Sequence, residues 1–452
     1  MHAKVNPHPF SGTVRIPASK SHTIRQLVIA SLAGGGGAKN EVSEIILPLD
    51  SLDTQSCIAA CRALGAEITV HRDGGRLVSC TVRGNGGFKG GRGGQINAGN
   101  SGTTLYFAMA AAGLGSEPFA ITGDDSIQRR SASPLLDALC GLGVRATSVK
   151  DNGCAPVVVQ GPWKGGKVSL HCETSQYLSA LLLAAPAAPA GTVTEITVPL
   201  LNERPYIEMT LSYLAAQGIP YEAAEDFSRF VIPGGAAWKP FSRAVPGDFS
   251  SSAFPACAAA ISGGPVTILG LDPNDTQGDK YFLDMLSRMG CTVNWEKVPA
   301  ADQAAASCEY QVTVSRSGER YSPLRGGAFD LNAVPDLLPP AAVTAAYAVG
   351  DTLFFNVASA RIKESDRIAA MAAGLAKLGV RCTERPDGLV VHGSGQTGVS
   401  GGFVDSHGDH RIAMAFAAAA LAAHSPIVIE DAECADVSYP GFLELLQAEM
   451  YP

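Results

Sequence analysis

"IAAMAAGLAKLGVRCT", residues 368–383, is an apolar-periodic helix that closes on a glycine and turns at once into a β-rich run. Gly379 sits where a helix C′ residue takes positive φ, so helix, turn and strand are specified together. The signature recurs as "CIAACRALGAEITV" (57–70), "PLLDALCGLGVRATSV" (134–149), "MTLSYLAAQGIPYEA" (209–223) and "FLDMLSRMGCTVNW" (282–295), with Gly65, Gly143, Gly218 and Gly290 at the turn. "GFLELLQAEM" (441–450) reads as a further copy cut short. An α-turn-β unit recurring at roughly 70-residue intervals predicts a pseudo-repeated α/β protein, since a solenoid would be more tightly spaced.

The 452 residues exceed one ordinary core, which points to two domains or one domain repeated. The boundary falls near "RAVPGDFSS" (243–251), where Pro-Gly-Asp interrupts the pattern and the fourth copy starts afresh. A first strand is expected at 11–17 and fits either half. A net charge of -8 argues against nucleic acid or an acidic membrane surface as partner and favours small molecules. The eleven cysteines show no C-x-x-C pair and no zinc-ligand spacing, the pattern of reduced cytosolic thiols. No metal-ligand set is visible. "MHAKVNPHPF" at the start lacks a signal-peptide pattern, and the longest apolar run, Ile412 to Ala423, is too short to span a membrane. The expected protein is soluble and cytoplasmic.

Charge is scarce, 17% of residues, yet "RIKESDR" (361–367) places five charged side chains immediately ahead of the opening helix. Helix N-termini present unpaired N–H groups and a positive dipole, so anions gather there. Other helices begin in the same way. "SKSHTIR" sets Lys20, Ser21 and Arg25 at a helix start, and the small residues of "NAGNSGTT", including Asn100 and Gly102, open another to a close ligand. "IQRRSASP" brings Arg129 and Arg130 before a helix opened by Pro134, and "TSQYLSALL" heads a helix with Thr174, Ser175 and Gln176. "PD" at 335–336 and "DHRIAMAF" (409–416) add Asp336, Asp409, His410 and Arg411. A lone His410 reads as a capping or surface histidine, and Ser365 as the cap of its helix with Asp366 complementing the dipole. At least six such ends on a repeated fold suggest convergence on a substrate with several negative charges. The absence of a G-x-x-x-x-G-K-[ST] motif argues against nucleoside triphosphate hydrolysis.

These stretches, with "RPYIEMTL" (204–211) and "PGDFSSSA" (246–253), resemble the EPSP synthase (3-phosphoshikimate 1-carboxyvinyltransferase) family from Pro17 to about Pro440. The resemblance implies an α/β fold of two similar domains. Each would be an inside-out α/β barrel of three βαβαββ units, with helix N-termini facing the interdomain cleft. Residues 1–18 with 247–452 would form domain I, closed by both termini and carrying the phosphoenolpyruvate side and the catalytic acid and base. Residues 19–246 would form domain II, mainly the shikimate 3-phosphate side. The implied reaction transfers the enolpyruvyl group of phosphoenolpyruvate to the 5-hydroxyl of shikimate 3-phosphate by addition and elimination, within the shikimate pathway to chorismate and the aromatic amino acids. It implies no metal or organic cofactor, a monomer, and a glyphosate target. By resemblance, Lys20, Ser21, Arg25, Thr174, Ser175, Gln176, Tyr206, Asp336 and Lys363 bind shikimate 3-phosphate. Lys20, Asn100, Gly102, Arg130, Gln176, Arg367, His410 and Arg411 bind phosphoenolpyruvate. Asp336, Glu364 and Lys20 are the implied catalytic residues.

Four positions depart from the family's pattern: Tyr106 and Ser359 replace an Arg and an Asn, Val437 replaces a Lys, and Glu203 replaces a Ser. Glu203 either brings a carboxylate close to the substrate phosphate, with Arg204 to neutralise it, or points to solvent and leaves Arg204 facing the ligand. These departures leave two alternatives to the parent reaction. One is a weakened anion-binding paralogue. The other is a transferase acting on an acceptor such as UDP-N-acetylglucosamine, against which stands the lack of cysteine in "GDDSIQRRSASP" (123–134).

Overall fold

The computed structural model describes residues 1–34, 42–88, 93–298, 310–316, 323–395 and 398–451. The five glycines of the repeat, Gly65, Gly143, Gly218, Gly290 and Gly379, all take positive φ, between 67° and 107°. A side chain in this region meets steric cost, so glycine is the residue that lets each helix end there. Each is followed by a strand: Glu67–Asp73, Arg145–Ser148, Glu222–Ala223, Cys291–Lys297 and Cys382–Arg385.

Every one of these strands lies at the edge of a four-stranded sheet, and six such sheets share one pattern of pairing. In the sheet that follows the opening stretch, Ala328–Asp330 pairs parallel with Val349–Phe355. That strand pairs antiparallel with Gly388–Ser394, which in turn pairs antiparallel with Cys382–Arg385. A parallel pair needs a crossover, here made by the helix Leu338–Ala346, and the helix Arg367–Lys377 leads to the closing hairpin.

The copy expected to be cut short is complete. A one-turn helix, Phe442–Leu445, passes through Gln447 at φ 55°, with no glycine, into the strand Glu449–Tyr451. Its sheet is finished by His2–Val5, inserted between Glu449–Tyr451 and Ile427–Glu430, with Ala3 opposite both Met450 and Ile429. The first strand is therefore His2–Val5, and the strand expected at 11–17 is present as the second, Gly12–Arg15.

The chain divides into two compact units, Ser19–Val245 and Met1–Ala18 with Pro246–Pro452. The strand Gly12–Arg15 pairs parallel with Val266–Leu269 in one, and Ser242–Ala244 pairs parallel with Ser43–Ile46 in the other. Where the chain leaves and re-enters the terminal unit, Ala18 bridges Gly247 and the Asp248 N–H donates to the Pro17 carbonyl at 3.0 Å.

Within each unit, three helices are buried on nearly all sides. They are Lys20–Leu32, Gly102–Ala112 and Ser175–Ala184 in the unit 19–245, and Phe249–Ser262, Leu338–Ala346 and His410–Ala420 in the other. A helix apolar all round belongs in an interior, and the alanines of these helices allow close packing. The helices of the glycine repeat are instead one-sided, as Tyr281–Arg288 and Arg367–Lys377 illustrate. Trp163 and Trp238 are buried in the first unit with their indole N–H groups donating to Thr194 Oγ1 at 3.0 Å and to the Leu183 carbonyl at 3.1 Å. No described helix is long and apolar enough to cross a membrane.

Gly374 lets the helix Arg367–Lys377 meet His410–Ala420, because a Cβ there would enter the ring of Phe416. Helix propensity alone predicts that Gly374→Ala stabilises by up to about 1 kcal/mol. We expect the reverse, a loss of about 1–3 kcal/mol from overpacking, read as a lower urea midpoint.

Candidate active site

In the terminal unit, Arg367 is fully buried, the first residue of its helix, and held by three carboxylates. Its Nε donates to Asp409 Oδ2 at 2.8 Å and its Nη2 to Asp409 Oδ1 at 3.2 Å. Nη1 donates to Asp336 Oδ1 at 2.7 Å, and Nη2 to Glu364 Oε2 at 2.6 Å. Arg411 reaches the other oxygen of Asp336 at 3.0 Å. Three helix starts are thereby tied together. Asp336 lies in the short 3₁₀ turn Pro335–Leu337 that opens Leu338–Ala346, and Asp409 caps His410–Ala420 by accepting from the Arg411 N–H at 2.9 Å.

Burial works against ionising Asp336, but Arg411, Lys363 and Arg367 outweigh it, so the carboxyl titrates well below the usual range. Asp409 is likewise opposed by burial and carried below its ordinary value, chiefly by Arg367. Arg367 gains from Asp409, Glu364 and Asp336 more than burial takes away, and is held as a permanent cation.

Two readings at this helix mouth are corrected. Ser365 is not the cap: Asp366 accepts from the Ala369 N–H at 3.0 Å, and Ser365 donates to Asp409 Oδ2 at 3.0 Å. Asp366 also fastens Arg361 at 2.7 Å, and Arg361 reaches Glu384 at 2.9 Å. His410 is neither cap nor surface residue but is buried in the first turn of the helix that Asp409 caps. Asp409 itself is the residue that sequence reasoning undervalued. Its signal was an acid at a helix start with a hidden arginine to balance.

In the unit 19–245, Lys20 Nζ lies 3.0 Å from the buried Asp53 Oδ2. Arg25 is buried, and its hydrogen bonds go to neutral oxygens: Thr210 Oγ1 at 3.0 Å, the Ser21 carbonyl at 3.1 Å, Ser179 Oγ at 3.1 Å and the Tyr206 carbonyl at 3.2 Å. Burial draws its pKa down to about 10, against the opposing pull of Tyr213, Tyr206 and Glu203. Arg130 and Gln176 converge on Gly102. A Cβ built there lies 2.8 Å from Arg130 Nη1 and 3.1 Å from Gln176 Oε1. Asn100 donates to Asp124 at 2.6 Å, and Arg130 Nη2 to Ser126 Oγ at 3.2 Å.

A family model described as EPSP synthase (3-phosphoshikimate 1-carboxyvinyltransferase) matches residues 5–446. The chain belongs to the EPSP synthase family. It is 43% identical to the 3-phosphoshikimate 1-carboxyvinyltransferase of Acetivibrio thermocellus over 443 residues, covering 98% of this chain and 97% of the relative. It is 40% identical to that of Halobacterium salinarum over 452 residues, covering 99% and 98%. Among solved structures, an EPSP synthase from Acinetobacter baumannii superposes with a TM-score of 0.79 at 26% identity, over the full length of both chains.

The four departures from the EPSP synthase pattern have distinct fates. Tyr106 is a buried packing residue. Its hydroxyl donates to the Ser131 carbonyl at 2.9 Å and its ring meets Tyr177 edge-on at 4.8 Å, so it braces the residue after Arg130. Ser359 is buried with no hydrogen-bond partner for its hydroxyl among the described residues. Val437 is half-buried at the end of the 3₁₀ turn Ala432–Val437 and supplies no charge. Glu203 faces inward and is 2% exposed, whereas Arg204 turns out to Glu208, the Glu225 carbonyl and the Phe227 ring. Neither earlier role for Arg204 survives, since it neither pairs with Glu203 nor faces the cluster.

Asp409→Asn leaves Arg367 buried with a broken pair, a loss of about 3–5 kcal/mol by urea unfolding. Because the folded pKa values of Asp336 and Asp409 lie below their unfolded ones, the stability they contribute is complete above about pH 5 and is lost as pH falls through the folded values. Asp336→Asn should therefore show a shallower loss of stability than the parent between about pH 4 and pH 2.

Proposed function

We propose that this chain transfers the enolpyruvyl group of phosphoenolpyruvate to the 5-hydroxyl of shikimate 3-phosphate and releases inorganic phosphate. The observation that carries the reading is the knot of Asp336, Glu364, Arg367 and Arg411 at three helix starts. It joins two carboxylates able to move protons to two guanidiniums able to hold an anion. In this reading Arg367, Arg411 and His410, with Lys20, Asn100, Gly102, Arg130 and Gln176, take phosphoenolpyruvate. Lys20, Ser21, Arg25, Thr174, Ser175, Gln176 and Tyr206, with Asp336 and Lys363, take shikimate 3-phosphate.

The ligand-free bonding has a chemical consequence. Asp336 is a poor base while two guanidiniums hold it. The carboxylate and phosphate of phosphoenolpyruvate compete for those guanidiniums, so binding the donor substrate loosens Asp336 and raises its proton affinity. Glu364 is held by the same arginine and is released in the same way. Asp336 and Glu364 then share the proton transfers: from the 5-hydroxyl and to the methylene carbon in the addition, and from the resulting methyl group as phosphate leaves in the elimination. Lys20 and the arginines stabilise the charge that develops as phosphate leaves.

The finer architecture we infer is the family's inside-out barrel in each unit, with helix N-termini facing a cleft between them. Three sheets of one order and three buried helices per unit support it. The terminal unit then carries the phosphoenolpyruvate side and the acid and base, and the unit 19–245 mainly the acceptor side. We propose that the protein works in the cytoplasm as a monomer, without metal, organic cofactor, nucleic acid or membrane. Glyphosate is the expected inhibitor, since glycine at 102 puts no side chain between the backbone there and the converging Arg130 and Gln176.

Mixing the protein with both substrates at millimolar concentration should release phosphate, and no release would overturn the proposal. Glu364→Gln should cut kcat by about 10²–10⁴-fold. Val437→Lys should lower KM for phosphoenolpyruvate by about 10-fold if the turn Ala432–Val437 faces that substrate, because a charge-assisted contact is worth about 1.5–3 kcal/mol.

A further inference from the structure

The N-terminus of the helix Ser175–Ala184 already holds an anion, and the anion belongs to the protein. Glu203 Oε2 accepts from the Ser175 N–H at 2.9 Å, from Ser175 Oγ at 2.8 Å and from Thr174 Oγ1 at 3.1 Å. A backbone donor at a helix start with two hydroxyls is the donor set that a phosphate oxygen would use. The negative charge also lies within the field of the buried Arg25.

The backbone marks the position as unusual. Glu203 sits at φ 58°, ψ 41°, a left-handed conformation uncommon for a residue with a long side chain, between the strand Val193–Leu201 and the helix Arg204–Gln217. Arg204 and Pro205 open that helix, with Arg204 committed elsewhere, while the Thr174 and Ser175 donors hold the carboxylate.

We propose that Glu203 is an internal stand-in for the acceptor's phosphate, seated on Thr174 and Ser175 when the site is empty and displaced when that phosphate binds. This rests on the assignment of those two residues to shikimate 3-phosphate. One donor set cannot serve two anions, and two negative groups at contact distance in a buried pocket repel strongly. The seated state therefore lowers apparent affinity by the fraction of molecules whose donors are vacant, so a tenfold preference for the seated state costs about tenfold in Kd.

The arrangement makes the acceptor site selective among anions. A free sulfate or phosphate gains only the donors that Glu203 releases. Shikimate 3-phosphate brings a ring whose hydroxyls and carboxylate make further contacts, and these drive the exchange. Inorganic phosphate, which the reaction itself produces, is thereby kept from the acceptor's seat.

The test compares the parent with Glu203→Ser, which removes the charge and most of the bulk, and with Glu203→Gln, which keeps the shape without the charge. KM for shikimate 3-phosphate should fall by about tenfold in the Ser variant and by less in the Gln variant. Sulfate should become a stronger inhibitor competitive with shikimate 3-phosphate. A KM that is unchanged or raised in both variants overturns the proposal, since Glu203 would then be a bystander or a ligand contact. Should the Ser variant fail to fold, the Gln variant carries the same comparison. If no protein, parent or variant, turns over, the enolpyruvyl-transfer reading fails by itself. Calorimetric titration with sulfate then decides the present proposal: tighter binding to the variants upholds it, and equal binding overturns it.

Discussion

Arg367 is the constraint on which the terminal unit's active-site geometry depends. A guanidinium cannot be buried without compensation, and here each of its three nitrogens donates to Asp336, Glu364 or Asp409. Those carboxylates stand on different elements, so satisfying one cation fixes three helix starts at once. The close approach at Gly374 and Phe416 brings the helices of Arg367 and Arg411 near enough for this to happen. The carboxylates proposed to move protons, Asp336 and Glu364, are thus also among those that neutralise the buried charge.

The unit 19–245 treats charge differently. Arg25 is buried against neutral oxygens, with its cationic form weakened to a pKa of about 10, and Glu203 supplies negative charge within the same interior. Lys20 is paired with Asp53. Each unit thus holds its buried cations in internal ion pairs or their near equivalents, which offsets the cost of burying charge.

Much of this was legible in the sequence where the determinants are local. A glycine after an apolar-periodic stretch is a steric statement about one residue, and Gly65, Gly143, Gly218, Gly290 and Gly379 all take the conformation it predicts. The position of Gln447 shows the limit: a non-glycine residue occupies the same backbone state, held by its surroundings, and the copy looked truncated. The pairing of His2–Val5 with Glu449–Tyr451 was invisible because no local signal specifies a partner more than 400 residues away. At the active site, residue types at helix starts could be read, but side-chain direction could not. Glu203 and Arg204 are neighbouring charged residues, and the left-handed turn at 203 lies where one is sent inward and the other out. Ser365 and Asp366 were confused for the same reason, since either is a good cap and one residue of helix phase decides.

The interleaving of His2–Val5 between two C-terminal strands sets an order on biosynthesis. The segment Ser19–Val245 contains all the strands of its own three sheets and can close as soon as Ser242–Ala244 has left the ribosome. The first strand of the chain has no such opportunity. It emerges ahead of that unit, yet the last of its partners, Glu449–Tyr451, follows more than 400 residues later. Until then a segment destined for the interior of its sheet waits unpaired while a complete unit folds behind it. In that strand His2 and Lys4 alternate with the buried Ala3 and Val5, the pattern that seats it once both partners are present.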